Sequence, residues 1–147
     1  MKRFLRCTCL VLVMSMLLAV PAFAAGTMDS RASSYFMRSS VYLCNVSGNS
    51  FEAWFDVTGT GTMDLIGAEF IKIQRSSDNS NWTTVKTFSR SSNSSLVDTD
   101  TVTHAAGVSY TGSRGYYYRA YVQLYAEKGI GCGYWDRYSA SIYIPTN

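Results

Sequence analysis

The sequence predicts an all-β domain behind a removable leader. Three observations carry this reading. After residue 24 no stretch shows apolar residues recurring at a helical period, while short runs alternate at a period of two. Clusters of Gly, Ser, Asn and Asp separate those runs at short intervals. That combination belongs to antiparallel sandwiches and barrels.

Residues 1–24 have the three parts of a secretory signal: basic Lys2, Arg3 and Arg6, an apolar run over 10–20, then Pro21 and the small residues Ala22 and Ala24. Cleavage is expected after Ala24. The apolar run is about half of the roughly 20 residues a spanning helix needs, and nothing later approaches one. The expected product is a single secreted domain, 25–147, with no membrane span. Cys7 and Cys9 precede the cleavage point.

The strands follow in order. "YFMRSSVYLCNV" is the first, with "NVSGNS" as its turn. "FEAWFDVTG" alternates, placing Phe51, Ala53, Phe55 and Val57 on one face and Glu52, Trp54, Asp56 and Thr58 on the other. "GTGTMD" breaks that run. "GAEFIKIQR" and "WTTVKTFS" form a hairpin through "SSDNSN". Polar "RSSNSS" leads to a short strand at "SLVDT", and "YYYRAYVQLYA" with "YSASIYIP" makes the closing hairpin. About seven strands at this spacing suit an immunoglobulin-like sandwich.

The whole chain carries 13 Lys and Arg against 10 Asp and Glu. Its three leader charges are all basic, so the exported domain is neutral. A neutral surface lacks the basic field that nucleic-acid binding requires. Cys44 and Cys132 remain after cleavage. In an oxidising compartment two lone cysteines pair, so a Cys44–Cys132 disulfide is expected, contributing about 4–5 kcal/mol in the chain-entropy model.

Residues 71–88, "IKIQRSSDNSNWTTVKTF", resemble the middle hairpin of bacterial fibronectin type III-like domains, in which a strand leads to S-D-x-x-x-W and then V-x-T. "LVDTDTVTHAAGVSYTGSRGYYYRAYVQ" is similar to the same family's later stretch, an aspartate turn and a glycine before Y-x-Y-R-A-x-V. The likeness covers 71–122. The flanks lack the proline-rich opening strand and tandem copies usual there. The chain also resembles small single-domain exported bacterial proteins. The resemblance implies a seven-stranded sandwich in which Trp82 opens a strand and packs over the sheet edge. It also implies that Cys44 and Cys132 stand at opposite poles, beyond the roughly 7 Å between Cα atoms that a disulfide spans. The paired cysteines and the family's strand order therefore conflict.

Catalytic signals are weak. His104, in an expected loop "TVTHAAG", has Asp98 and Asp100 nearby but no nucleophile-elbow sequence. Asp98 and Asp100 offer oxygen ligands for calcium without the rest of a loop. Glu52, Asp56 and Glu69 could supply a carboxylate pair, whose separation decides that chemistry. No catalytic residue, metal or cofactor is expected. Asn45, Asn81 and Asn93 each head a glycosylation triplet, expected to be unused in a bacterial protein.

Aromatic content is more informative. All 11 tyrosines and all three tryptophans fall after the leader. Alternation puts Tyr116, Tyr118, Ala120, Val122 and Leu124 inward, and Tyr117, Arg119, Tyr121, Gln123 and Tyr125 outward. A fibronectin-like order would add Phe70, Lys72 and Gln74 on one side and Ser141 and Tyr143 on the other. Tyrosine with arginine is the composition enriched at recognition surfaces. Tyr117, Arg119, Tyr121 and Tyr125 are therefore candidate binding residues, with Trp54 on its own strand and Trp135 in the expected final loop. The expected function is a non-enzymatic binding module for a glycan, a cell-wall polymer or another surface protein. A small secreted toxin or antimicrobial protein is the alternative, and a small hydrolase a second.

Overall fold

The structure, a computed structural model, describes residues 32–146; the expected leader and its cleavage point lie outside them. One helical turn, α1 (Ala32–Tyr35), precedes seven strands: β1 (Phe36–Ser47), β2 (Ser50–Ser76), β3 (Thr83–Ser89), β4 (Val97–Thr111), β5 (Tyr116–Lys128), β6 (Gly131–Tyr138) and β7 (Ile142–Ile144). A single 3-10 turn, Ser94–Leu96, enters β4. The domain is all-β, as the period-two alternation requires, and every strand pair is antiparallel.

β2 is the spine. Its first part pairs with β1 on one side and with β4 on the other, so that Trp54 lies between Tyr42 and Gly107. Its second part pairs with β5 on one side and β3 on the other, so that Lys72 lies between Tyr121 and Thr87. β6 and β7 then share the far edge of β5. The register against β4 slips between Thr58 and Met63, across Gly59 and Gly61. Glycines and bulges bend a strand and raise its twist. The stretch expected to break the run instead continues it as a bend, and one antiparallel sheet curls into a half-barrel.

The inner face of the curl is the core. Phe51, Ala53, Phe55 and Val57 from the first part of β2 meet Ile66, Ile71 and Ile73 from its second part and Tyr118, Ala120, Val122 and Leu124 from β5, all buried. The alternation predicted for both strands is realised. Tyr118 has a second role at the corner between β4 and β5. Its ring passes so close to Gly112 that a Cβ there would lie 2.6 Å from it. Its hydroxyl accepts from the Ser113 N–H at 2.7 Å and donates to the Ser113 carbonyl at 3.1 Å.

Two expected loops are strands. "TVTHAAG" belongs to β4, because its Thr, Val and Ala residues fit a pleated surface and pair along β2 as far as Thr111. The expected final loop holds β6, because Gly129, at φ 61, lets the chain reverse directly out of β5. "YSASIYIP" accordingly supplies only the three residues of β7.

β1 and β6 approach each other across the open side of the curl. Arg137 Nε donates to Ser39 Oγ at 2.9 Å, and the rings of Phe36 and Trp135 lie 5.6 Å apart. Tyr35 covers Gly131 and Gly133 at the start of β6; a Cβ at Gly133 would lie 2.7 Å from its ring. This arrangement corrects the expected disulfide: Cys44 and Cys132 are both free. Cys132 sits at the Tyr35 end of the seam, whereas Cys44 lies eight residues past Phe36, about 26 Å along an extended strand.

Candidate functional site

The outward face of β3, β2, β5 and β6 gathers a continuous row of rings and cations. Tyr117, Arg119 and Tyr121 project from β5 on this face, each half-buried. Opposite them on β6 and β7 stand Tyr138, paired with Tyr121, and Tyr143, paired with Tyr117. On β2 stand Lys72 and Gln74, paired with Tyr121 and Arg119.

Arg119 is the centre of the row. Its guanidinium lies 4.3 Å from the Trp82 ring centroid and 4.7 Å from that of Tyr138. Its Nε donates to Gln74 Oε1 at 2.8 Å. Tyr138 stacks on Tyr121 at 4.8 Å, Tyr121 meets Phe70 edge-on at 5.5 Å, and Lys72 Nζ lies 4.4 Å above Phe70. The run Trp82, Arg119, Tyr138, Tyr121, Phe70, Lys72 thus crosses the sheet. Cation–ring contacts each contribute about 0.5–1 kcal/mol when exposed. Tyr117 and Tyr143 add a second pair at 4.9 Å.

These packed rings spend their broad faces on one another and on the cations. What they offer outward is edges, hydroxyl tips and charge. Tyr138 is 53% exposed, Tyr143 48% and Tyr134 43%. Neither Arg119 nor Lys72 forms an ion pair with a carboxylate among the described residues. Asp136 lies beside Tyr121 on this face and accepts from Gln123 Nε2 at 3.1 Å, and Glu127, farther along β5, accepts from Tyr125. Burial, and after it hydrogen bonding and charge from Asp136, push the Tyr121 phenol up to about 12. The phenol therefore stays a neutral donor at physiological pH.

The other candidates are distributed elsewhere. Tyr125 has the outward parity but is buried, because Arg90 covers its ring at 4.3 Å and Tyr134 flanks it at 5.1 Å. Its hydroxyl donates to Glu127 Oε2 at 2.8 Å, and burial followed by Glu127 pushes it up to about 12. Trp54 lies on the outer face of the β1–β2–β4 part, against Gly107, and its Nε1 donates to Glu52 Oε2 at 2.8 Å. Trp135 is in β6 rather than a loop. It pairs with Leu124 and packs on the core, with Arg137 stacked 3.5 Å from its ring centroid. Burial lowers the Arg137 pKa.

Trp82 and Tyr138 belong to the row and were not among the sequence-derived site residues. The signal for Tyr138 is the alternation Tyr134, Asp136, Tyr138, visible once "YWDRY" is read as a strand. For Trp82 there is only its place directly before β3. Its orientation is fixed by the preceding turn. There the Asp78 carboxylate accepts from the N–H groups of Ser80 and Asn81 and from Ser76 Oγ, and these bonds hold its pKa far below the usual carboxylate range.

The catalytic alternatives have the following geometry. His104 Nε2 meets the Ser95 backbone carbonyl at 2.9 Å, and Nδ1 lies 4.0 Å from Asp98. The nitrogen that would face a nucleophile is occupied by a carbonyl. Glu69 pairs with Arg90 at 3.0 Å, on the other part of β2 from Glu52 and Asp56. The Asp98 carboxylate caps the Thr99 N–H at 2.8 Å, and no cluster of three metal-ligating side chains occurs among the described residues. No family model matches the chain, and neither curated proteins nor solved structures give a match.

Proposed function

We propose that the protein is a secreted, non-enzymatic binding module whose contact surface is the outward face of β3, β2, β5 and β6. The partner is a macromolecule bearing carboxylates or other anionic groups: an acidic glycan, a cell-wall polymer or a surface protein. The observation that carries this reading is the unbroken row from Trp82 through Arg119, Tyr138 and Tyr121 to Lys72. A core needs no such row on its solvent side, and contiguous exposed aromatics mark interaction sites. Covered ring faces favour polar and ionic recognition over stacking on neutral sugars.

The fold reading that accompanies this is a fibronectin type III-like sandwich. It is supported by the grouping of β1 and β4 with the first part of β2, and of β3, β5 and β6 with its second part. The Tyr118 corner also supports it, since a tyrosine bonded back to the preceding turn recurs in immunoglobulin-like domains. Secretion is proposed on the leader pattern.

A glycan array and a cell-wall pull-down test the function. Native protein should retain an acidic ligand, and Lys72→Ala with Tyr138→Ala should lose it while remaining folded. Hot-spot truncations typically cost about 2 kcal/mol or more, so affinity should fall at least about 30-fold. Unchanged retention by the folded double variant would refute the site.

A further inference from the structure

We infer that the outer edge of β4 pairs with the same edge of a second copy, joining two domains through an antiparallel β4–β4 seam. β4 has 15 residues and bonds to β2 alone. Its other edge has no strand beside it among the described residues. From Thr103 to Thr111 it keeps register with β2 without a bulge, so that edge is straight over nine consecutive pairs. An unpaired straight edge is a template for another strand.

The edges of β3, β6 and β7 each carry a device against such pairing, and β1 turns its outer edge toward β6 across the open side of the curl. β3 is seven residues long and bears the exposed Lys86. β7 has three residues and is followed by Pro145. β6 turns Arg137 inward and faces β1 across the Ser39 bond. β4 has its own guards only at its start, where Asp98 and Asp100 are exposed and Asp100 takes φ 52. Residues 105–111, "AAGVSYT", contain no charge and no proline.

Charge selects the occupant. In a two-fold antiparallel seam a strand meets its own sequence reversed, so any charge near the axis faces a like charge. A neutral segment satisfies that condition, whereas Lys86 on β3 would violate it. The outward side chains here, Thr103, Ala105, Ser109 and Thr111, are small and exposed, and a second strand can approach without displacing them. The seam would be about 30 Å long and one sheet, about 10 Å, thick. That is roughly 300 Å² on each copy, well below the roughly 800 Å² of a standard stable interface. The pairing is therefore weak and concentration-dependent.

Sedimentation velocity over a series from about 5 to 500 µM, the regime of small transient interfaces, tests this. The native protein should shift from monomer to dimer. Ala105→Lys with Ser109→Lys should remain monomeric, as should Ala105→Glu with Ser109→Glu, each with native circular dichroism. Mixing the two variants should restore a heterodimer, because an axis near Gly107 sets position 105 against 109. A native protein that stays monomeric throughout, a Lys variant that still dimerises, or a mixture that stays monomeric while the native protein dimerises would each overturn the seam. A larger assembly that survives the Lys variant would place the contact elsewhere.

Discussion

Tyr121 and Tyr138 stack with ring planes 16° apart and centroids 4.8 Å apart, although 17 positions separate them in the sequence. The β5–β6 register sets them directly opposite. Such a pair contributes about 0.5–1.5 kcal/mol beyond the area it buries. Tyr138 is the more exposed member, which makes it the better probe of binding. Tyr138→Ala should lower stability by about that amount in urea melts and weaken binding much more. Tyr121, half-buried between Phe70 and Tyr138, should cost more stability when truncated. If Tyr138→Ala unfolds the domain, the row is structural and the binding proposal fails.

The Tyr118 hydroxyl gives a cleaner stability test. Tyr118→Phe keeps the ring in the core and removes both bonds to Ser113. An intramolecular hydrogen bond contributes about 0.5–1.5 kcal/mol net, and Ser113 is exposed, so water can reach its N–H and carbonyl once the hydroxyl is gone. The loss should appear as a lower urea midpoint with an unchanged slope. Leu124→Ala, which opens a cavity beneath β5, should cost about 2–5 kcal/mol. A Phe variant as stable as the native protein would show that the corner bonds are replaced by water at no cost.

The cysteines should behave independently. Without reductant, folded protein should take up two alkyl groups on Cys44 and Cys132, and reduction should leave the melting temperature unchanged. Cys132 is exposed and Cys44 partly buried, with burial and then Glu52 raising the Cys44 pKa. The thiolate is the reactive form, so Cys132 should be modified first. Mass spectrometry of partly alkylated protein decides this; faster labelling of Cys44 would contradict the burial.

Much of the β architecture was legible in the sequence because the inward residues alternate strictly over 51–57 of β2 and 118–124 of β5. The errors share one cause: contacts distant in sequence override local pattern. Gly59 and Gly61 signal a turn locally, but β4 pairs with β2 both before them, at Thr58, and after them, at Met63, so the run continues through a bend. Gly131 and Gly133 look like loop glycines, yet they are strand residues whose missing side chains leave room for Tyr35. Tyr125 has the parity of a surface residue, and Arg90, arriving from beyond β3, buries it. In the candidate site, Tyr117, Arg119 and Tyr121 could be read from one strand. Trp82 and Tyr138 could not, because their membership depends on which strands flank β5.

Titration of the two most strongly shifted tyrosines, Tyr121 and Tyr125, should couple stability to alkaline pH. The Tyr121 and Tyr125 phenols are pushed up to about 12, from an ordinary value of about 10. A group whose proton is held more tightly in the folded state contributes stability that is fully present below its unfolded pKa. That contribution is lost as pH rises from about 10 toward 12, because the unfolded chain ionises first. Stability should therefore fall across that window, and Tyr121→Phe with Tyr125→Phe should flatten the fall by removing both protons from the comparison. Ultraviolet phenolate absorbance of the native protein should show Tyr121 and Tyr125 ionising only toward pH 12, and Tyr110, which burial also raises, above its ordinary value. Burial is the largest cause at each site, so Asp136→Asn should recover only part of the Tyr121 shift. If the Tyr121 phenol ionises near pH 10 while the fold persists, its packing between Phe70 and Tyr138 is looser than the ring distances require.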